Sequence, residues 1–397
     1  MKDDSSMKKM RIGFFVDAFF PMIDGVVMVV DHYAKRLSKK AEVIVFAPAP
    51  TKGKYDDSKF PYKVVRCKAK KVPFLDYSLA LPVFDKKFKK EIENSNLDIV
   101  HIHSTATIGF LGVKYGKKHN IPIIGTMHSQ TLQDFKRAVR FNTIAKLLNR
   151  IVVKTYNKCD ECWTVNKEVA RIFYEEYGCK NKPSIIRNAT EMEPVSDISK
   201  SREKIEKLYN INSKDKIFVF VGRINALKNI YFIVDSLKVL NTLNPPFKYK
   251  MLFIGSGQDE EELRKYIEKK DMQDNIIMVG KITDRIQLAE HYAASDLQLF
   301  PSLYDTNSLV QIEASSQHTP TLFIEGSATC ATVTDKVNGF ISKYDKDSYA
   351  KYILDIFTDK TLYNSVKEKC YQDLYVNWND VVEEVYNRYK NILEEKK

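Results

Sequence analysis

Cysteine is scarce, with six thiols in 397 residues, and so few in so long a chain exclude a disulfide framework. Glycine and proline are modest too, at 14 and 13 residues, and no low-complexity or collagen-like tract is present. No run approaches the roughly 20 apolar residues needed to cross a bilayer, and the opening Met1-Lys2-Asp3-Asp4-Ser5-Ser6 lacks the apolar core of a signal peptide. A cytoplasmic location is expected. No recognition motif with interleaved exposed aromatics accompanies the basic residues, so nucleic acid is not an expected partner. The deficit is in acids, 51 against 63 Lys and Arg, which leaves a net charge of +12. That excess attracts anions, among them nucleotide phosphates and acidic lipid.

What remains is a globular composition, 44% hydrophobic and 29% charged, long enough for two or three domains. Short apolar runs alternate with helical stretches: Met10 to Asp17, a helix from Val26 to about Lys40, Ala41 to Pro48, Asp98 to His103, a helix near Phe110 to His119, and Ile121 to Thr126. A second series follows at Lys216 to Gly222, Lys250 to Gly255, Ile276 to Gly280 and Leu297 to Phe300. Strands alternating with helices predict parallel sheets covered on both faces, hence an α/β chain of two doubly wound, Rossmann-like domains. The expected boundaries are 10–190 and 191–377, and the Ser-, Lys- and Glu-rich stretch from Glu191 to Lys214 supplies the linker and an opening helix. A final helix, 378–397, is expected across the domain junction, packing back on the first domain.

In such sheets ligands sit beyond the carboxyl ends of strands, so four post-strand loops carry most weight. Gly25, in Phe20-Pro21-Met22-Ile23-Asp24-Gly25-Val26, precedes a helix, where it is either a turn glycine or a place for a phosphate or sugar to approach the amides. His128, in Thr126-Met127-His128-Ser129, can donate or accept hydrogen bonds near neutral pH. In Gly222-Arg223-Ile224-Asn225-Ala226-Leu227-Lys228-Asn229 two cations five residues apart can grip a diphosphate, or form a solvated basic turn. In Pro301-Ser302-Leu303-Tyr304-Asp305-Thr306-Asn307-Ser308-Leu309-Val310-Gln311-Ile312-Glu313, Thr306 and Asn307 are expected caps for a helix from Ser308. Apolar neighbours predict a partly buried Glu313. His101 and His103 alternate on one strand face, as a metal pair or as structural residues, and Cys159-Asp160-Glu161-Cys162, without a second ligand pair, reads as reduced thiols on a helix.

Together these loops resemble the GT-B glycosyltransferases, specifically retaining family 4, over nearly the whole chain and in that family's order, with a further Gly-x-Gly turn at Gly255-Ser256-Gly257. The Lys228-Asn229-Ile230 context and basic first domain resemble bacterial diacylglycerol glucosyltransferases. The resemblance implies that the two domains face across a cleft, and that a hexose, glucose from a UDP-sugar, is moved with retention to a membrane lipid such as diacylglycerol or a glycolipid. A polysaccharide or soluble sugar acceptor, or nucleotide-sugar binding without turnover, are the alternatives. It also implies Gly25 beside the diphosphate or sugar, His128 at the sugar, Arg223 and Lys228 on the diphosphate, Asp305 on the sugar hydroxyls and Glu313 on the ribose. Gly222, Gly255, Gly257, Asn307, Ser308 and Leu309 complete the donor site. Neither cofactor nor metal is implied, because Arg223, Lys228 and the helix start supply positive charge. Three positions depart from the pattern: Asp305 stands for Glu, Ser308 for Gly, and Asn188-Ala189 for Asn-Gly.

For the acceptor side, Asp134 to Lys158 carries Lys136, Arg137, Arg140, Lys146, Arg150, Lys154 and Lys158 against one acid, with interleaved Phe135, Val139, Ile144, Leu147, Leu148, Ile151 and Val152. One basic helix is expected here. It lies on anionic lipid at the inner face of the membrane, or turns its apolar side to the domain core.

Overall fold

Short runs rich in Val, Ile and Phe without polar alternation need burial on both faces, and here they form the inner strands of two parallel sheets. The computed structural model describes residues 9–51, 53–71, 78–139, 141–303, 305 and 308–396. It divides into two compact units, 1–188 with 378–397, and 189–377.

In the first unit seven parallel strands run in the order Lys63–Cys67, Glu42–Pro48, Arg11–Phe15, Ile99–Ile102, Ile123–Met127, Glu161–Thr164 and Ser184–Ile185. In the second, six run in the order Ile276–Gly280, Tyr249–Ile254, Lys216–Val221, Leu297–Leu299, Thr321–Ile324 and Phe340–Ser342. Both are doubly wound. The strand order reverses beside Arg11–Phe15 in one unit and Lys216–Val221 in the other, and loops leaving the two sides of such a switch point diverge.

Strand alternation builds the second core. Phe218 and Phe220 enter one cluster with Ile233, Leu237 and Met251, while Ile217, Val219 and Val221 enter another with Ile205, Leu288 and Tyr292. The central strand is thus buried on both sides.

The final helix, Trp378–Glu395, belongs to the first unit. Its buried stripe is Trp378, Val381, Val382, Val385, Tyr389 and Ile392, at the three- and four-residue spacing of a helix face. Trp378 stacks on His32 at 4.7 Å, and Tyr389 stacks on Trp163 at 5.5 Å. Arg388 pairs with Glu161, and Lys396 with Asp160 at 2.9 Å.

Two local expectations are corrected. The basic segment forms two helices, Thr131–Ala138 and Asn142–Tyr156, because Val139 and Phe141 take extended backbone conformations between them. Cys159 and Cys162 are free thiols, but they do not lie on a helix. The helix ends at Tyr156, Cys159 follows in the turn, and Cys162 lies in the strand Glu161–Thr164.

Replacing Trp378 by Ala removes a side chain only 2% exposed and is expected to cost about 3–5 kcal/mol. Urea unfolding followed by far-UV circular dichroism checks this, and an unchanged midpoint would show that the helix does not hold the first unit together.

Candidate functional site

The second unit assembles its loops through backbone contact. A Cβ on Gly255 would lie 1.8 Å from the Gly222 carbonyl oxygen, and one on Gly257 would lie 2.1 Å from that of Ile224. Gly255 also has φ of +143°, a region open mainly to glycine. The Ile224 amide donates to the Ser256 carbonyl at 3.0 Å. The loop after Lys216–Val221 is therefore held against the loop after Tyr249–Ile254, and it ends in a short turn, Ala226–Lys228.

From that turn Lys228 reaches across the switch point. Its ammonium pairs with Asp305, and its Nζ lies 5.7 Å from the centre of the Phe300 ring. Asn229 ties the same two loops together by donating from Nδ2 to the Pro301 carbonyl at 2.7 Å. Lys228 and Asp305 are 17% and 19% exposed, and Asp305 Oδ2 is buried with no hydrogen-bond partner. Asn225 Oδ1 in the neighbouring loop is a second buried acceptor in that state. Arg223 behaves differently: it is exposed and makes no hydrogen bond to the described residues.

The following helix is Leu309–Ser316, capped by Ser308, whose Oγ accepts from the Gln311 amide at 3.2 Å. Ser308 is thus the cap, where Thr306 and Asn307 were expected; those two residues lie outside the described ones. The Ser308 hydroxyl serves the helix, and Leu309, as its first residue, contributes one of the first-turn amides without a partner inside the helix. Glu313 is buried. Its Oε1 accepts from Arg285 Nη2 at 2.6 Å and its Oε2 from the Tyr292 hydroxyl at 3.3 Å. Burial, with the Glu313 charge beside it, pushes Tyr292 far above the ordinary tyrosine range, so it stays a donor.

Arg285 was not foreseen. It opens the helix Arg285–Ala293 just after the strand Ile276–Gly280, and that post-strand position was the available signal. The chain's one Asp-x-Asp triplet, Asp345-Lys346-Asp347, is structural at its first member: Asp345 caps the helix Lys346–Thr358, accepting from the Ser348 amide at 2.8 Å.

The first unit offers a different chemistry. Gly25 is exposed at the start of the helix Gly25–Leu37, where Asp24 accepts the Val27 amide at 2.8 Å. A Cβ there would meet nothing within 4 Å, so packing does not demand glycine and the space above the backbone is open. Asp17 closes the neighbouring switch point, accepting from the Ile108 amide at 2.8 Å and the Ser104 hydroxyl at 2.6 Å. The helix Thr107–His119 has no side-chain cap of its own in sequence, and Asp17 serves instead.

His128 follows the strand Ile123–Met127, and its Nε2 lies 3.0 Å from His103 Nδ1. His101, in the strand Ile99–Ile102, and His103, just beyond its end, have ring centres 4.1 Å apart. His101 is saturated by Tyr389 at 2.5 Å and Thr126 at 2.6 Å. Among the described residues no cluster of His, Cys, Asp and Glu has metal-binding geometry. Burial pushes His128 down to about 4 and His101 and His103 well below their usual range, so all three rings are neutral near pH 7. Sequence spacing paired His101 with His103, but the partnership of His103 with His128 joins adjacent strands and had no local signal.

Residues 23–193 match the family model described as Glycosyltransferase Family 4, and residues 201–373 match Glycosyl transferases group 1. The chain is similar to an alpha-monoglucosyldiacylglycerol synthase of Acholeplasma laidlawii, 26% identical over 362 residues, covering 87% of this chain and 88% of the relative. An enzyme of the same name from Streptococcus pneumoniae is 23% identical over 387 residues, covering 95% of this chain and 85% of the relative. The crystal structure of Anabaena Alr3699/HepE in complex with UDP covers 96% of this chain and 100% of its own, with a TM-score of 0.77 and 14% identity.

The neutral histidines make folding pH-dependent. Unfolded, each would take up a proton near pH 6.5, whereas folded His128 resists until about 4. The unfolded chain therefore binds more protons in that window, and stability present above pH 6.5 is lost as pH falls toward 4. Urea titrations between pH 7.5 and 4.5 should show this decline, with a shallower slope in His128→Gln; identical slopes would exclude the linkage.

Proposed function

The chain belongs to the glycosyltransferases of the GT-B fold, a family 4 domain preceding a group 1 domain, and on that premise we propose that it moves a hexose, glucose from UDP-glucose, to diacylglycerol or a glycolipid with retention of configuration. The observation that carries the donor half is the Lys228–Asp305 pair, with a buried carboxylate oxygen beside it that no group of the described protein satisfies. An unsatisfied buried acceptor costs about 1–3 kcal/mol, and a sugar hydroxyl would satisfy it. Lys228, joined by exposed Arg223, would then face the donor diphosphate.

The chemistry asks little more of the protein. The bond from the anomeric carbon to the phosphate oxygen breaks, its electron pair stays on the diphosphate, and the acceptor oxygen bonds to the same face of that carbon. The acceptor proton passes to the departing phosphate oxygen. Charge accumulates on the diphosphate in the transition state, where a preplaced ammonium stabilises it without reorganisation. Arg223, Lys228 and the amides at Leu309 supply this charge without a metal. Glu313, held by Arg285 and Tyr292, would accept the ribose hydroxyls. Gly222, Gly255 and Gly257 shape the loops around the nucleotide, and Asn307 joins them in the donor site. Gly25 and His128 of the first unit would address the sugar.

A lipid acceptor is supported by the helix Asn142–Tyr156. Its inner side holds Ala145, Val152, Val153 and Tyr156, yet Leu147 and Ile151 remain 57% and 54% exposed and Ile144 joins them in one row. Lys146, Arg150, Lys154 and Lys158 form a parallel exposed row at four-residue spacing. Beside it Arg150, Lys154, Lys158 and Lys180 line an open cavity of about 430 Å³ with Tyr177 and Gly178, and no carboxylate lines it. Apolar and basic ridges exposed side by side fit a helix lying in the surface of an anionic bilayer. No helix among the described residues is long and apolar enough to cross one.

Incubating the purified protein with a panel of nucleotide sugars and membrane lipids, and weighing the products, tests the proposal directly; transfer only to soluble sugars or glycans would redirect the acceptor assignment. Lys228→Ala is expected to lower kcat about 100- to 1000-fold with circular dichroism unchanged, whereas Glu313→Ala should chiefly raise the donor KM. Wild-type turnover in the lysine variant would end the diphosphate assignment. Replacing Arg150 and Lys154 by Gln should weaken binding to phosphatidylglycerol vesicles roughly 30-fold at low salt, at about 1 kcal/mol per lost cation; sedimentation that is equal for both proteins would remove the membrane-surface role.

A further inference from the structure

We propose that His103 is a positioning residue that holds His128 as the neutral tautomer protonated on Nδ1, by donating its own Nδ1–H to His128 Nε2. The proposal rests on the reading of His128 as a sugar contact and adds the polarity of that contact.

The geometry leaves two proton arrangements. The atoms His103 Nδ1 and His128 Nε2 are 3.0 Å apart, a hydrogen-bond distance that requires one proton between them. His103 is 3% exposed and its Nε2 has no partner. If His128 were the donor, neutral His103 would have to carry its proton on Nε2, leaving a buried N–H with nothing to receive it. If His103 is the donor, Nε2 is a bare lone pair. Orphaned buried N–H groups are rarer than orphaned acceptors, so the second arrangement is favoured.

The His103 ring has little freedom to choose otherwise. Its backbone amide donates to the Phe15 carbonyl at 3.0 Å, continuing the pairing of the central strand. Phe14 meets the ring edge-on at 5.2 Å, Tyr33 at 6.0 Å, and His101 lies 4.1 Å away. Packed among these rings, His103 turns Nδ1 to His128 Nε2 at 3.0 Å.

The consequence is functional. With Nε2 accepting from His103, His128 carries its proton on Nδ1, which makes that atom a hydrogen-bond donor and not an acceptor. It is then neither a base nor a charged group near pH 7, in line with the burial that pushes its pKa down to about 4.

Two-bond ¹H–¹⁵N correlation spectra of the uniformly labelled full chain at pH 7 read the tautomer directly, with His128 assigned by its loss in His128→Gln. The expected spectrum shows Nδ1 protonated and Nε2 unprotonated in the wild type. In His103→Leu the His128 signals should move to a tautomer mixture and kcat should fall roughly 10-fold with little change in donor KM. In His103→Asn, whose amide N–H can stand where the Nδ1–H stood, both the signature and turnover should return. A wild-type His128 protonated on Nε2 would overturn the proposal, as would a leucine variant with unchanged spectrum and turnover. The spectra need no substrate, so the stated tautomer in a protein that transfers no sugar would defeat the transferase reading while upholding the role of His103.

Discussion

The second unit depends on one close approach: the backbone after Tyr249–Ile254 rests on the backbone after Lys216–Val221, with Gly255 and Gly257 against the carbonyls of Gly222 and Ile224. No side chain fits in that contact, and every later feature of the loop follows from it. The turn Ala226–Lys228 is placed beside the switch point, Asn229 adopts φ of +55° and binds the Pro301 carbonyl, and Lys228 is left pointing at Asp305. A partly buried ion pair of this kind is weak evidence for stability, since desolvation offsets most of the Coulomb gain. In the proposed reaction its value would lie in holding an ammonium, already partly desolvated, beside the donor diphosphate at little reorganisation.

The first unit answers the same topological problem with neutral groups. Its switch point is closed by Asp17, whose carboxylate already occupies the start of the helix Thr107–His119. The groups left over are Gly25, with open space above it, and three imidazoles that burial keeps uncharged. Uncharged donors and acceptors suit hydroxyl-rich ligands, whereas the cations of the second unit suit phosphates. Two units of like topology thus present complementary chemistry, and the difference lies in the side chains at loop ends, since a shared fold does not fix function.

Much of this order was legible in sequence because buried parallel strands must be continuous apolar runs: Lys216–Val221, Tyr249–Ile254 and Ile276–Gly280 carry that pattern openly. Lys63–Cys67 escaped notice because Lys63 and Arg66 leave only a two-residue apolar run, Val64-Val65, at a sheet edge, and Phe340–Ser342 and Ser184–Ile185 because two or three residues give no period. The break at Val139–Phe141 was hidden because no Pro or Gly marks it. Within the site, residue types at loop positions were readable, but their partners were not. That Arg285 meets Glu313, that Lys228 meets Asp305 and that His103 meets His128 are consequences of strand order, and local spacing holds no record of them.

The helix Asn142–Tyr156 poses an energetic question of its own. Burying an Ile or Leu fully is worth about 1.5–3 kcal/mol, and Ile144, Leu147 and Ile151 already hide about half of their surface. A membrane would therefore recover only about 1 kcal/mol from each, and each basic neighbour adds about 1 kcal/mol near an anionic surface. Neither row suffices alone against the cost of immobilising the protein, while together they reach several kcal/mol. Attachment of this size would be reversible and sensitive to salt and lipid charge. It would bring an enzyme to an insoluble acceptor while leaving it able to meet a donor that arrives from water.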